Sequence, residues 1–184
     1  MRGGTYTLND FVADLDRITA NEDDPHAITQ QVAPLLARLV KHPGSIPAEY
    51  LRSPKDRRGR YMLHRASRFN VTSVVWRPGD IAEPHNHETW GAIGVVENEI
   101  EETRYRLTGH EGRVALEVTG VNRHGPGAVS CLAPGNEIHR MRNVSARDTA
   151  EIHVYGKDLV GLRRRQWFPD GTEKALISPK YLNC

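Results

Sequence analysis

The sequence has few cysteines, no long apolar run and no excess of either charge. Cys131 sits in an apolar run and Cys184 at the last position, so neither a disulfide framework nor a cysteine-rich zinc site is available, and this usage fits a reducing compartment. No stretch approaches the roughly 18 apolar residues of a membrane span. The opening residues, Met1 to Asp10, lack the apolar core of a signal peptide. A cytoplasmic protein without a membrane partner is therefore expected. Lys and Arg number 25 against 23 Asp and Glu, a formal charge of +2, which falls short of the basic footprint of a nucleic-acid binder. No nucleic-acid partner is expected, and the sequence leaves the oligomeric state open.

What remains is a balance of 38% apolar and 26% charged residues over 184 positions, suited to one domain with a real core. Leu8, Phe11, Leu15 and Ile18 recur at helical spacing after Thr7 and Asn9, either of which can cap a helix. Ile28, Val32, Leu35, Leu36 and Leu39 form a second such pattern, with Pro34 expected to kink it or to open its main segment. From about Tyr61 the texture changes to short β-branched or alternating runs: 69–76, 91–96, 100–107, 113–118, 128–132, 137–143 and 151–155. Turn signals such as Arg77-Pro-Gly-Asp80 and Pro134-Gly-Asn136 separate them. The expectation is one domain over 1–184, helical over 1–55 and a β-barrel or sandwich over 56–184, the helices packed outside.

Nine histidines are present, and four fall where chemistry can use them. In Glu83-Pro-His85-Asn-His87-Glu-Thr-Trp90-Gly91, residues two apart on a strand share a face, so His85 and His87 can present two imidazoles to one metal ion. Two histidines alone specify little. Pro134-Gly135-Asn-Glu-Ile-His139-Arg-Met-Arg-Asn143 offers a third. Together these segments resemble the two signature motifs of the cupin superfamily: Gly79, five residues, then His85-x-His87, and later a Pro-Gly turn, His139, three residues and Asn143. The carboxylate most cupins place after the second histidine is absent, since Gly91 and Ala92 stand there.

Without that carboxylate, the chain resembles the thiol dioxygenase branch, the cysteine and 3-mercaptopropionate dioxygenases. Bacterial members carry a segment similar to Pro84–Val95, and the likeness extends to Trp76-Arg-Pro-Gly79 and Ile152-His153-Val-Tyr155-Gly156. The resemblance implies a mainly β, double-stranded β-helix (jelly-roll) fold with His85, His87 and His139 on Fe(II). It also implies oxidation of a small thiol carboxylate by O2 to the sulfinic acid. Three neutral ligands leave up to three positions for thiolate, a second donor and oxygen. Zinc suits the same ligands, so iron comes from the resemblance. Another metal-dependent cupin, an isomerase or hydrolase, or a non-catalytic ligand-binding cupin are the competing readings.

Glu151-Ile-His153-Val-Tyr155 alternates strictly, so Glu151, His153 and Tyr155 share one face. An ordinary half-exposed strand is the alternative to a catalytic one. Thiol dioxygenases have a Ser-x-His-x-Tyr strand at this place, which implies that Tyr155 reaches toward the reacting groups and His153 orients it. Glu151 stands where that serine is expected, able to accept a hydrogen bond from His153 and to favour positive charge on it. A cysteine beside the tyrosine in animal cysteine dioxygenases has no counterpart, since Gly91 or Ala92 stands there. Of Arg163-Arg164-Arg165, the resemblance to 3-mercaptopropionate dioxygenases assigns the substrate carboxylate to Arg164, against the alternative of a solvated basic strand. Cysteine dioxygenases use an arginine on the strand before Phe69, aligned near Tyr61, with Arg60 and Arg65 close by. His64, His110 and His124 are read as surface or structural, and Trp90 as core packing.

Overall fold

A computed structural model describes residues 5–110, 113–168 and 172–184. Helix α1, Leu8–Asn21, begins at Thr7, whose side chain accepts from the Asp10 N–H while the Asp10 carboxylate accepts from Thr7 in return. It buries Phe11, Leu15 and Ile18. Helix α2, Pro25–Lys41, is capped by Asp24, which accepts from the Ala27 N–H at 2.9 Å. The helix therefore opens at Pro25, and Pro34 lies inside it rather than at its start. Pro34 faces solvent, where water can take up the carbonyl that the missing N–H leaves free.

Eleven strands among the described residues form two antiparallel sheets. They are β1 Gly59–Arg65, β2 Asn70–Trp76, β3 Ile81–His85, β4 Gly91–Glu97, β5 Ile100–His110, β6 Arg113–His124, β7 Val129–Leu132, β8 His139–Arg142, β9 Thr149–Tyr155, β10 Arg164–Trp167 and β11 Glu173–Leu176. One sheet runs β1-β2-β9-β4-β7 and the other β11-β10-β3-β8-β5-β6. Strands β2 to β9 thus fall into the four-strand orders β2-β9-β4-β7 and β3-β8-β5-β6, the connectivity of the jelly roll. The mainly β, double-stranded β-helix expectation is met by this strand order. Strands β1, β3, β10 and β11 lay outside the seven expected runs. β1 and β11 are only partly buried and show no apolar alternation, and β3 carries Pro84 beside His85.

The two faces of β9 explain how the molecule divides. Ala150, Ile152 and Val154 join the cluster formed with Phe11, Leu15, Val32 and Leu36 of the helices, so the helices cover the outside of the first sheet. A Cβ at Gly94 would lie 2.9 Å from Leu36 Cγ and Val40 Cγ1, so the bare backbone of β4 lets α2 seat this closely. The opposite face of β9 carries Glu151, His153 and Tyr155 into the barrel interior. All seven residues of β9 are buried, so the half-exposed alternative does not apply. Trp90 belongs to the helix-side cluster, as expected of core packing. Leu36 is fully buried at this junction. Leu36→Ala is expected to lower stability by about 2–5 kcal/mol in chemical denaturation, whereas a loss within about 0.5 kcal/mol, as at surface sites, would contradict this packing.

Candidate metal centre

His85 ends β3 and His139 opens β8, and the two are cross-strand partners in register. Their ring centroids lie 4.9 Å apart. His87 is not on the strand with His85, as the His-x-His spacing suggested; β3 ends at His85, and His87 belongs to the connection to β4. The Glu137 carboxylate fixes that connection by accepting the backbone N–H groups of His87 and Glu88 at 2.8 and 2.9 Å. Glu88 adopts a positive φ of 56°. His87 still converges on the other two, at 4.8 and 4.9 Å between ring centroids. Each of the three buried histidines offers one ring nitrogen within 4.8 Å of the others.

The hydrogen bonds decide which nitrogens are free. His85 Nδ1 donates to the Glu83 carbonyl at 2.8 Å, and His139 Nδ1 donates to Glu102 at 2.7 Å, which directs both Nε2 atoms inward. Nδ1 of His87 is buried with no hydrogen-bond partner among the described residues. Burial holds His85 and His87 well below the ordinary imidazole range, and their positive neighbours add to the effect. Burial lowers His139 as well, against the opposing pull of Glu102. All three are neutral at neutral pH, the form that ligates metal. Three convergent, neutral, buried imidazoles fit a divalent transition metal.

Glu102 escaped the sequence analysis. Burial pushes its carboxyl up, but hydrogen bonds from His124 and His139 and the Arg104 charge outweigh that and hold it well below the usual carboxylate range. Ser130 adds a hydrogen bond at 2.8 Å and Arg104 an ion pair at 2.8 Å. His124 is thus structural, its Nε2 meeting Glu102 at 2.9 Å. His64 stacks on Phe69, and the side chain of His110 lies outside the described residues.

Beside the triad, His153 bridges Tyr155 and Glu151: Nδ1 lies 2.9 Å from the tyrosine hydroxyl and Nε2 lies 3.0 Å from Glu151 Oε2. Trp76 Nε1 donates to the same Glu151 oxygen at 2.5 Å, while Oε1 is buried without a partner among the described residues. Burial pushes the Tyr155 phenol up, so it is protonated at neutral pH. Its ring stacks on His87 at 5.3 Å. A Cβ at Gly91 would meet the Tyr155 ring at 2.7 Å, while Ala92 belongs to the helix-side cluster. Gly91 is therefore the position facing the tyrosine.

Arg164 points inward and is buried, whereas Arg163 and Arg165 are exposed, as alternation requires. Its Nη1 donates to the Asn86 carbonyl at 3.0 Å and Nη2 to Ser178 Oγ at 2.5 Å; Nε is buried without a partner. It makes no ion pair among the described residues. A cavity of about 620 Å³ joins Arg164 to His85, His87, His153 and Tyr155. Arg60 lines it too, whereas Arg65 pairs with Asp158 outside and Tyr61 donates to the Arg52 carbonyl. Of the two arginines near Tyr61, Arg60 is thus the one that lines the cavity, since alternation along β1 turns Tyr61 to the other face.

The site and strand order together define a jelly-roll protein with three convergent buried histidines that could hold a metal ion. No protein-family model matches the chain. A sugar phosphate isomerase of the cupin superfamily from Silicibacter pomeroyi aligns at 17% identity and TM-score 0.41, over 56% of this chain and 57% of that one. A Klebsiella pneumoniae protein with a double-stranded β-helix domain aligns at 18% and 0.47, covering 59% of this chain and 80% of that one. An RmlC-like cupin from Methanocaldococcus jannaschii aligns at 13% and 0.41, covering 57% and 86%. No helix among the described residues is long and apolar enough to cross a membrane.

His139→Ala should abolish stoichiometric metal in the desalted protein, and Glu102→Gln should weaken binding about tenfold to a hundredfold, since it removes the charge that orients His139. Full metal in His139→Ala contradicts the assignment. Because burial lowers all three imidazoles, metal affinity should hold as pH falls through about 6.5, the ordinary histidine value, and drop only below it. A titration of bound metal against pH checks the sign.

Proposed function

We propose that the chain is a non-haem Fe(II) thiol dioxygenase converting a small thiol carboxylate, of the 3-mercaptopropionate or cysteine type, and O2 into the sulfinic acid. The observation that carries the reading is one cavity lined by His85 and His87 of the three-histidine cluster, by the Tyr155 hydroxyl held by a His–Glu pair, and by a guanidinium without an ion pair. The balance closes without a reductant: one thiol and one O2 give one sulfinic acid, the sulfur supplying the electrons.

His85, His87 and His139 would hold the iron, which supplies the joint binding and redox chemistry for thiolate and oxygen. The neutral triad leaves the metal's charge free to attract anions. Tyr155 donates its proton toward His153 Nδ1, and His153 Nε2–H donates to Glu151, which Trp76 holds in place. That direction follows from a protonated phenol and a carboxylate that only accepts. The tyrosine oxygen therefore keeps its lone pairs for the cavity, and the relay behind it can take up the proton that the thiol loses. Glu151 thus does at His153 what a serine can do by accepting, with a negative charge added.

Arg164 binds the substrate carboxylate. Its forked donors suit a planar anion, and it has no acidic partner among the described residues. With iron-loaded protein, oxygen uptake should match thiol loss and sulfinate formation one to one. Arg164→Ala should weaken thiol acids about tenfold to a hundredfold, the value of a charged hydrogen bond, and should spare cysteamine, which has no carboxylate. Equal losses for both contradict the assignment, and the absence of sulfinate from every thiol in a panel contradicts the activity.

A further inference from the structure

His85 and His139 each have one ring nitrogen fixed by a hydrogen bond, to the Glu83 carbonyl and to Glu102. His87 lacks such a tether: its Nδ1 has no hydrogen-bond partner among the described residues, and its ring lies 5.3 Å from that of Tyr155. The aim of His87 is therefore set by where the backbone places it. That placement is demanding, because His87 stands outside β3 and the next residue, Glu88, has a φ of 56°, a left-handed conformation that few non-glycine residues adopt.

The residue between the two histidines governs this turn. Strand β3 pairs with β10 through His85 and Gln166, so Asn86 and Arg165 face each other next. A hydrogen-bonded antiparallel pair exchanges two backbone bonds. Here only one runs from backbone to backbone, from the Asn86 N–H to the Arg165 carbonyl at 3.1 Å. The Arg165 N–H donates instead to Oδ1 of the Asn86 side chain at 2.7 Å. The amide oxygen thus stands in for the backbone carbonyl of Asn86, and that carbonyl is free to accept from Arg164 Nη1 at 3.0 Å.

The released peptide leads directly to His87. Arg164 holds its oxygen, and its nitrogen, the His87 N–H, donates to Glu137 at 2.8 Å. The other end of the Asn86 amide, Nδ2, donates to Glu88 Oε1 at 2.6 Å and so spans the histidine. Asn86 is 2% exposed although the side chains of Glu88 and Arg165 on either side belong to exposed residues. The turn needs an acceptor and a donor on one short side chain. Alanine offers neither, and the carbonyl of residue 86 would return to the Arg165 N–H, carrying the His87 backbone with it.

We propose that Asn86 is a positioning residue of the metal centre: its side chain replaces its own carbonyl in the pairing with β10, which lets the Asn86–His87 peptide leave the sheet and aims His87 at the point where His85 and His139 converge. The proposal rests on the metal-centre reading and is independent of the thiol oxidation.

The test is titration of cobalt(II) alone into metal-free protein, followed by calorimetry and by the visible ligand-field spectrum, with a thermal melt of the metal-free form to establish that each variant is folded. The unaltered protein should bind cobalt stoichiometrically. Asn86→Ala should bind it about tenfold to a hundredfold more weakly, the usual loss when a group that orients a ligand is removed, and with an altered spectrum. Asn86→Asp combined with Glu88→Gln keeps the oxygen on Arg165 and reverses the bond to residue 88, so affinity and spectrum should both return. A residue that only stabilised the fold would lower the melting temperature and leave the spectrum of the folded protein as it was. Unchanged cobalt affinity and spectrum in folded Asn86→Ala overturn the proposal. So does weak cobalt binding by the folded double variant, because the oxygen facing Arg165 would then not be what places His87; this arm decides alone where Asn86→Ala does not fold. A lack of stoichiometric cobalt in the unaltered protein overturns the metal centre and the proposal together. Sulfinate formation by the iron-loaded protein is assayed in parallel, and its absence rejects the thiol oxidation while the cobalt comparison stays in force.

Discussion

Three imidazoles buried at the centre of a barrel, kept neutral and aimed at one point, are the constraint on which the rest of the structure depends. A neutral imidazole in a dry interior must place both nitrogens. Glu83 and Glu102 take one nitrogen each of His85 and His139, and the others are left for a metal. Glu102 is the keystone of that arrangement, since a buried carboxylate is tolerated only when its charge is met on several sides. His124, His139, Ser130 and Arg104 meet it here. The triad is thereby tied to β5, β6, β7 and β8.

The jelly roll supplies the second half of the site from the other sheet. Strand β9 faces the helices with Ala150, Ile152 and Val154 and the cavity with His153 and Tyr155, Glu151 lying behind His153, so one strand serves the core and the site at once. The close seating of α2 on β4 at Gly94, and of Tyr155 against Gly91, fixes the depth at which the tyrosine ring meets His87. Any gain in bulk at Gly91 pushes on the residue that carries the hydroxyl.

Residues with a local period were legible in the sequence. His85, His87, His139 and the Glu151–His153–Tyr155 face all follow from alternation or from motif spacing, whereas Arg164 was singled out by the resemblance, alternation setting it opposite Arg163 and Arg165. His87 converges on the other two histidines from a connection rather than from the expected strand, because spacing of two describes a strand as readily as a strand end followed by a turn. Glu102 stayed hidden because Ile100-Glu-Glu-Thr-Arg104 reads as a charged run; placing Ile100 inward on β5 puts Glu102 inward as well. Arg60 was ambiguous by one position, and only pairing of β1 with β2, Arg60 opposite Val74 and Tyr61 opposite Ser73, settles which side chain enters the cavity. Partners distant in sequence, such as Glu137 for the His87 backbone, leave no local trace.

The central claim is that this cavity oxidises a thiol by inserting both atoms of one O2 molecule. The direct measurement is turnover of the iron-loaded protein with a thiol acid under isotopically labelled O2 in ordinary water, followed by mass spectrometry of the product. The account predicts a sulfinate carrying both labelled oxygen atoms. A sulfinate with oxygen from solvent, or a tightly iron-bound protein that leaves every thiol acid unoxidised, would contradict it.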